Sequence, residues 1–174
     1  MKYIFLDRDG VINKRNLEGY ILRWEDFEFE VGVISFLKEI KRRGYYPIII
    51  TNQQCIGKKI LTKEALDEIH SKMNIYLKKY NAEFFDIFVC PHLEKDECEC
   101  RKPKPGLLFQ ARDKHQIQLQ NTFFIGDSIT DIQAGNHANS KTILLNTNYN
   151  QNFRDLVRID LICDSLLDIL DFLD

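Results

Sequence analysis

Three short apolar runs each end in a set of polar residues, and this pattern restricts the chain more than any other feature. Tyr3-Ile4-Phe5-Leu6 runs into Asp7-Arg8-Asp9-Gly10, Ile48-Ile49-Ile50 into Thr51-Asn52-Gln53, and Phe123-Phe124-Ile125 into Gly126-Asp127-Ser128. Uninterrupted runs this short read as buried strands rather than helices. Strands that alternate with helical patterns imply a parallel sheet wrapped by helices, an α/β architecture. In open sheets of that kind ligands bind beyond the carboxyl ends of the strands. The polar run-outs are therefore the candidate site.

The segments between the runs support this. Val33, Ile34, Leu37 and Ile40 have helical spacing, with Gly44 as the C-terminal stop. Tyr46 to Thr51 reads as a strand. Thr62 can cap a helix reaching about Tyr80, with Leu66, Ile69, Met73 and Leu77 on one face. Strands follow over 84–90, 122–125 and 141–145, with an edge strand over 161–163. Helices are expected over 106–115 and 130–138, and Ser165-x-x-Asp168 opens a last one. The polar segment from Asn13 to Glu30 is long for a plain connection, and such loops are often functional. With no linker or repeat, residues 1–174 read as one domain.

Asp7 and Asp9 stand one residue apart at the end of the first strand. Two acids so close repel, and at neutral pH they need a proton or a cation to share the site. Magnesium, which prefers carboxylate oxygens, suits them. Asp7 could act as a nucleophile and Asp9 as an acid/base; the alternative is an ordinary acidic turn. Thr51, Asn52 and Gln53 offer a hydroxyl and amides to an anion, although Thr-Asn after a strand also suits a plain turn. Asp127 reads as a third oxygen ligand, and Asp131 as a helix-start acid favoured by the dipole, the alternative being an acid that supports the metal ligands from behind. Lys102 would neutralise phosphoryl oxygens.

A net charge of −2 gives no general attraction to nucleic acid or anionic membranes. The four apolar residues before Asp7 are too few for a secretory signal, so a cytoplasmic protein is expected; separately, a monomer is expected. Of five cysteines, three cluster with a histidine as Cys90-x-His92-x5-Cys98-x-Cys100. Three thiolates and an imidazole complete a tetrahedral zinc set with no open position, hence a structural one. The alternative is a free-thiol loop. Cys55 and Cys163 lack ligand spacing and read as packing residues. His70, His115 and His137 fall in helical stretches and read as surface or partly packed.

Taken in order, DRDG, TNQ, RKP and GDSITD resemble the haloacid dehalogenase superfamily of phosphohydrolases, over nearly the whole chain. The resemblance implies a three-layer Rossmannoid fold with no large cap domain and a magnesium-dependent reaction through an aspartyl-phosphate. By position it makes Asp7 the nucleophile, Asp9 the acid/base, Thr51 and Lys102 the phosphoryl-contacting pair, and Asp127 a magnesium ligand with Asp7 and the Asp9 carbonyl. The zinc loop before RKPKPG resembles two branches, the heptose bisphosphate phosphatases and the histidinol-phosphatases. The TNQ-x-x-Ile-Gly-Lys and GDSITDIQAG stretches look more like the heptose branch. The chain departs from it at Gln54-Cys55, at Lys59 and over Asn16 to Tyr20, where the distal part of the substrate should sit.

By carry-over Asn52, Gln53, Gln54, Arg101 and Ser128 would contact substrate, with Gly19, Tyr20 and Lys58 as further candidates. Lys58, Lys59 and Arg101 favour a second anionic group, which suits a sugar bisphosphate better than histidinol phosphate; for Lys58-Lys59 a solvated loop is the alternative. The expected function is removal of the 7-phosphate from a D-glycero-D-manno-heptose 1,7-bisphosphate. A histidinol-phosphatase, a phosphatase for another sugar phosphate, and a non-catalytic zinc or regulatory module are the alternatives.

Overall fold

The computed structural model describes residues 1–147 and 157–173. The strands are β1 (Lys2–Leu6), β2 (Tyr45–Asn52), β3 (Asp86–Cys90), β4 (Phe123–Gly126), β5 (Lys141–Leu145) and β6 (Leu161–Cys163). They form one parallel sheet in the order β3-β2-β1-β4-β5-β6. The helices are α1 (Val33–Arg42), α2 (Lys63–Lys78), α3 (Gly106–His115) and α4 (Ile129–His137). The order reverses between β1 and β4, so the crevice of the topological switch point opens at their carboxyl ends. Those ends carry Asp7 and Asp127.

Alternation along the strands produces three layers. Ile4, Leu6, Ile49 and Ile125 point to the side where Phe36, Leu37, Ile69 and Met73 of α1 and α2 pack. Tyr3, Phe5, Ile48, Ile50 and Phe124 point to the other side, against Leu107, Leu108, Ala111 and Ala134 of α3 and α4. Being covered on both faces explains the unbroken apolar runs. Thr62 caps α2, its hydroxyl accepting from the Ala65 N–H at 3.1 Å. Gly44 ends α1 at φ +83°, a conformation that costs a residue without a Cβ little. No helix among the described residues is long and apolar enough to cross a membrane.

Two expected elements differ. The third strand begins at Asp86 rather than residue 84, because the Phe84 N–H donates to the Asn74 side chain (2.9 Å) instead of to a ladder. After Ser165 the expected last helix takes the form of a short 3-10 helix, Asp168–Asp171. Its cap is present, with Ser165 N–H to Asp168 at 3.0 Å. The Arg43 guanidinium then takes the carbonyls of Leu170 and Leu173 (2.5 and 2.9 Å), ending the helical bonding there. The 13–30 segment is pinned at both ends, Lys14 N–H to Glu28 O at 2.8 Å and Glu30 N–H to Ile12 O at 3.0 Å. Trp24, Phe27 and Phe29 of this segment cluster with Tyr76 of α2, Trp24–Phe27 and Phe29–Tyr76 stacked and Phe27–Phe29 edge-on.

Candidate active site

A cleft of about 270 Å³ lies over the switch point, near the low end of small-molecule sites (~300–1,000 Å³). Asp7, Asp9, Asn52, Gln53, Gln54, Arg101, Lys102, Ser128, Gly19 and Tyr20 all line it. Thr51 and Asp127 lie buried at the same strand ends. Lys58 is placed at the rim, its Nζ 2.9 Å from the Tyr20 hydroxyl and over the Tyr20 ring. Gln54 donates to the same hydroxyl at 3.1 Å.

Lys102 is the electrostatic centre. Only 4 % exposed, it directs its ammonium to Asp7 Oδ1 (2.7 Å), Asp131 Oδ1 (2.6 Å) and the Ile50 carbonyl (2.9 Å). An ammonium has three N–H donors, and these three oxygens match them. Burial would lower the Lys102 pKa, but Asp131 and Asp7 more than offset that and hold it charged. Asn52 fixes its backbone from both sides, Nδ2 to Lys102 O and Oδ1 from Lys102 N–H, each 3.1 Å. Asp131 does more than start a helix. One oxygen caps the Ser128 N–H (3.1 Å) and hydroxyl (2.5 Å), while the other holds Lys102.

Asp7 and Asp9 experience opposite fields. Burial pushes Asp7 up to about 7, partly countered by Lys102 and reinforced by Asp131 and Asp127. Burial would raise Asp9 too, but the Arg8 guanidinium with Asn13 and Gln53 holds it below the ordinary carboxylate range. Arg8 Nη2 donates to both Asp9 oxygens (2.9 and 3.0 Å), Asn13 to Oδ1 (2.9 Å) and Gln53 to Oδ2 (2.7 Å). Gln53 also donates to the Thr51 hydroxyl at 3.0 Å, so its amide organises the site as well as lining it.

Four residues here escape sequence reasoning. Arg8 is 1 % exposed and rests its Nη1 3.1 Å from Nε2 of His70, which is buried rather than superficial. Arg15 donates to Asp127 Oδ1 at 2.8 Å and to the Asp9 carbonyl at 3.3 Å. Asn13 completes the Asp9 shell. Only Arg8 carried a sequence signal, a charge enclosed between two acids at the end of a buried strand.

The donor sets fit both expected ions. Oxygens of Asp7, Asp127 and Asp131 all lie within 4.8 Å of one another. These three buried carboxylates offer the hard oxygen donors that a divalent cation such as magnesium prefers. In the loop after β3, Cys90 Sγ lies 3.7 Å from both His92 Nδ1 and Cys98 Sγ; His92 Nδ1 is 3.2 Å and Cys98 Sγ 3.5 Å from Cys100 Sγ. A tetrahedral zinc with Zn–S of about 2.3 Å sets its sulfurs about 3.8 Å apart. All five cysteines are free thiols. Arg101 donates to the His92 carbonyl at 3.4 Å, tying this loop to the cleft.

The HAD-hydrolase-like family model matches residues 99–169. A D-glycero-beta-D-manno-heptose-1,7-bisphosphate 7-phosphatase of Helicobacter pylori is 40% identical over 147 residues, covering 84% of this chain and 83% of that protein. The chain belongs to the heptose-1,7-bisphosphate 7-phosphatase family. It is therefore a phosphoric monoester hydrolase of the HAD-like group. A Campylobacter jejuni member acting on the alpha anomer is 38% identical over 144 residues, covering 83% of this chain and 81% of its own. The B. bronchiseptica D,D-heptose 1,7-bisphosphate phosphatase, solved with magnesium and phosphate, superposes with a TM-score of 0.90 at 26% identity, covering 99% of this chain and 100% of that one.

Proposed function

We propose that the chain removes the 7-phosphate of a D-glycero-D-manno-heptose 1,7-bisphosphate, in the cytoplasmic synthesis of nucleotide-activated heptose, as a monomer whose residues 1–174 form one phosphatase domain. The observation that carries this is the juxtaposition of Asp7, Lys102 and Asp127 at the switch point of a chain so similar to heptose bisphosphate phosphatases. Tyr20, Gln54, Lys58 and Arg101 at the cleft rim provide polar and cationic groups for the second phosphate, with Gly19 and Ser128 beside them. Neither anomer is favoured by identity, since relatives named for each are similarly close.

Magnesium held by Asp7, Asp127 and the Asp9 carbonyl would neutralise phosphoryl charge and keep Asp7 ionised. An Asp7 oxygen attacks phosphorus and the bond to the sugar oxygen breaks, while Asp9 gives that oxygen its proton. Lys102 and Thr51 stabilise the charge on the transferring group, together with backbone donors. Water then attacks the aspartyl-phosphate, Asp9 takes its proton, and phosphate leaves with Asp7 restored. The donors around Asp9 favour the carboxylate needed for this second half, so the acid form used in the first half requires Asp9 to take up a proton as substrate displaces part of that shell. Zinc on Cys90, His92, Cys98 and Cys100 would be structural, holding Arg101 and Lys102 in place.

Initial rates with magnesium on both heptose bisphosphate anomers, other sugar bisphosphates and histidinol phosphate test the assignment. One heptose anomer is expected to lead. Histidinol phosphate turning over faster than every sugar would overturn the substrate while leaving the hydrolase standing.

A further inference from the structure

Arg15 lies on two oxygens that the proposed magnesium requires. Its Nη2 is 2.8 Å from Asp127 Oδ1 and 3.3 Å from the carbonyl of Asp9. Asp127 is fully buried while the Arg15 side chain is about one-third exposed, so the pair consists of a fixed acid and a cation that enters from the solvent side. The guanidinium takes lone-pair directions of these two oxygens, and its positive charge repels a divalent ion bound beside it. Each must therefore weaken the binding of the other.

Arg15 also belongs to the cleft wall. It lines the same cavity as Asn16, Gly19, Tyr20, Gln54 and Arg101, the residues assigned above to the distal part of a substrate. An arginine there matches a phosphate geometrically, since its planar fork donates two parallel N–H groups. Loss of the Asp127 contact thus leaves Arg15 in reach of a second phosphate.

We propose that Arg15 is a displaceable counter-cation that couples the two ligands: magnesium releases it from Asp127, and the distal phosphate of the substrate captures the released form. This inference rests on the bisphosphatase reading. Because coupling between binding sites is reciprocal, magnesium and the distal phosphate strengthen each other's binding. A substrate lacking the distal phosphate forfeits that gain, so Arg15 contributes to selectivity for bisphosphates.

Calorimetric titration of magnesium into the intact protein, with and without heptose 1-phosphate, tests this. That sugar phosphate carries the distal group only and is not turned over. The wild type should bind magnesium more tightly when heptose 1-phosphate is present. Arg15→Gln should bind it about two- to fivefold more tightly than wild type without the sugar phosphate, as expected for loss of a partly exposed ion pair, and gain nothing further with it. Arg15→Ala should behave likewise. Unchanged or weaker magnesium binding in both variants, no gain in the wild type, or the same gain in all three proteins would overturn the coupling. Asp127→Asn separates the two levels of the reading. If it leaves magnesium affinity intact, the metal assignment fails and this inference with it.

Discussion

Replacing His70 with glutamine should change how the fold responds to acid. His70 sits on α2 with Nε2 3.1 Å from Arg8 Nη1. Arginine only donates, so Nε2 must accept, and the imidazole is neutral with its proton on Nδ1. Burial first, and then the Arg8 charge, depress its pKa from 6.5 to about 3. Between those values the unfolded chain binds a proton that the native state refuses, so stability rises with pH through this window and is lost as pH falls below 6.5. At pH 5 the cost is about 1.5 units at ~1.36 kcal/mol each, or about 2 kcal/mol. Glutamine offers an acceptor oxygen to Arg8 and does not titrate. Urea unfolding of both proteins from pH 7.5 to 5 should show the wild type losing about 2 kcal/mol relative to His70→Gln. Asp7, pushed up to about 7, acts with the opposite sign, since the native state retains its proton and acid favours the fold. That contribution is common to both proteins and cancels in the difference. A difference that stays constant with pH would refute the buried, neutral acceptor.

Other perturbations address the cleft from different sides. A Cβ at Gly126 would lie 2.2 Å from the Asp131 Cβ, so Gly126→Ala should displace Asp131 from Lys102 and Ser128. We expect at least a tenfold loss of kcat/KM, ~1.4 kcal/mol in the transition state, and a lowered Tm, checked by steady-state kinetics and thermal melts. Asn52→Ala removes both hydrogen bonds to the Lys102 backbone and should cost about 1–3 kcal/mol of stability, measured by urea unfolding. Cys98→Ser should reduce bound zinc measured by elemental analysis. It should also raise KM more than it lowers kcat, because Arg101 loses the loop that holds it.

The parts of the fold that follow from local pattern were legible. Unbroken apolar runs announced β1, β2 and β4, their polar ends announced the site, and Thr62 and Gly44 marked helix ends where the structure has them. Contacts between residues distant in the chain were not legible. Nothing near Arg15 indicates Asp127, and nothing near His70 indicates Arg8; both pairs exist only because the sheet brings β1 and its following loop against later elements. Asp131 is intermediate. Its place at a helix start was legible, whereas its cap on Ser128 and the grip of its other oxygen on Lys102 came only with the structure, the latter because α4 and the loop before α3 meet. In the last segment the helix start was legible in Ser165 and Asp168, while its short 3-10 form was not, since Arg43 of a distant element takes the carbonyls there.

The central claim is that Asp7 forms the bond to phosphorus. Rapid quenching during turnover of heptose bisphosphate with magnesium, followed by borohydride reduction, converts an aspartyl-phosphate to homoserine that peptide mass spectrometry locates. Homoserine at position 7, absent without substrate and absent in an Asp7→Asn variant that no longer releases phosphate, is the predicted result. Homoserine at another carboxylate, or substantial phosphate release by Asp7→Asn, would contradict it.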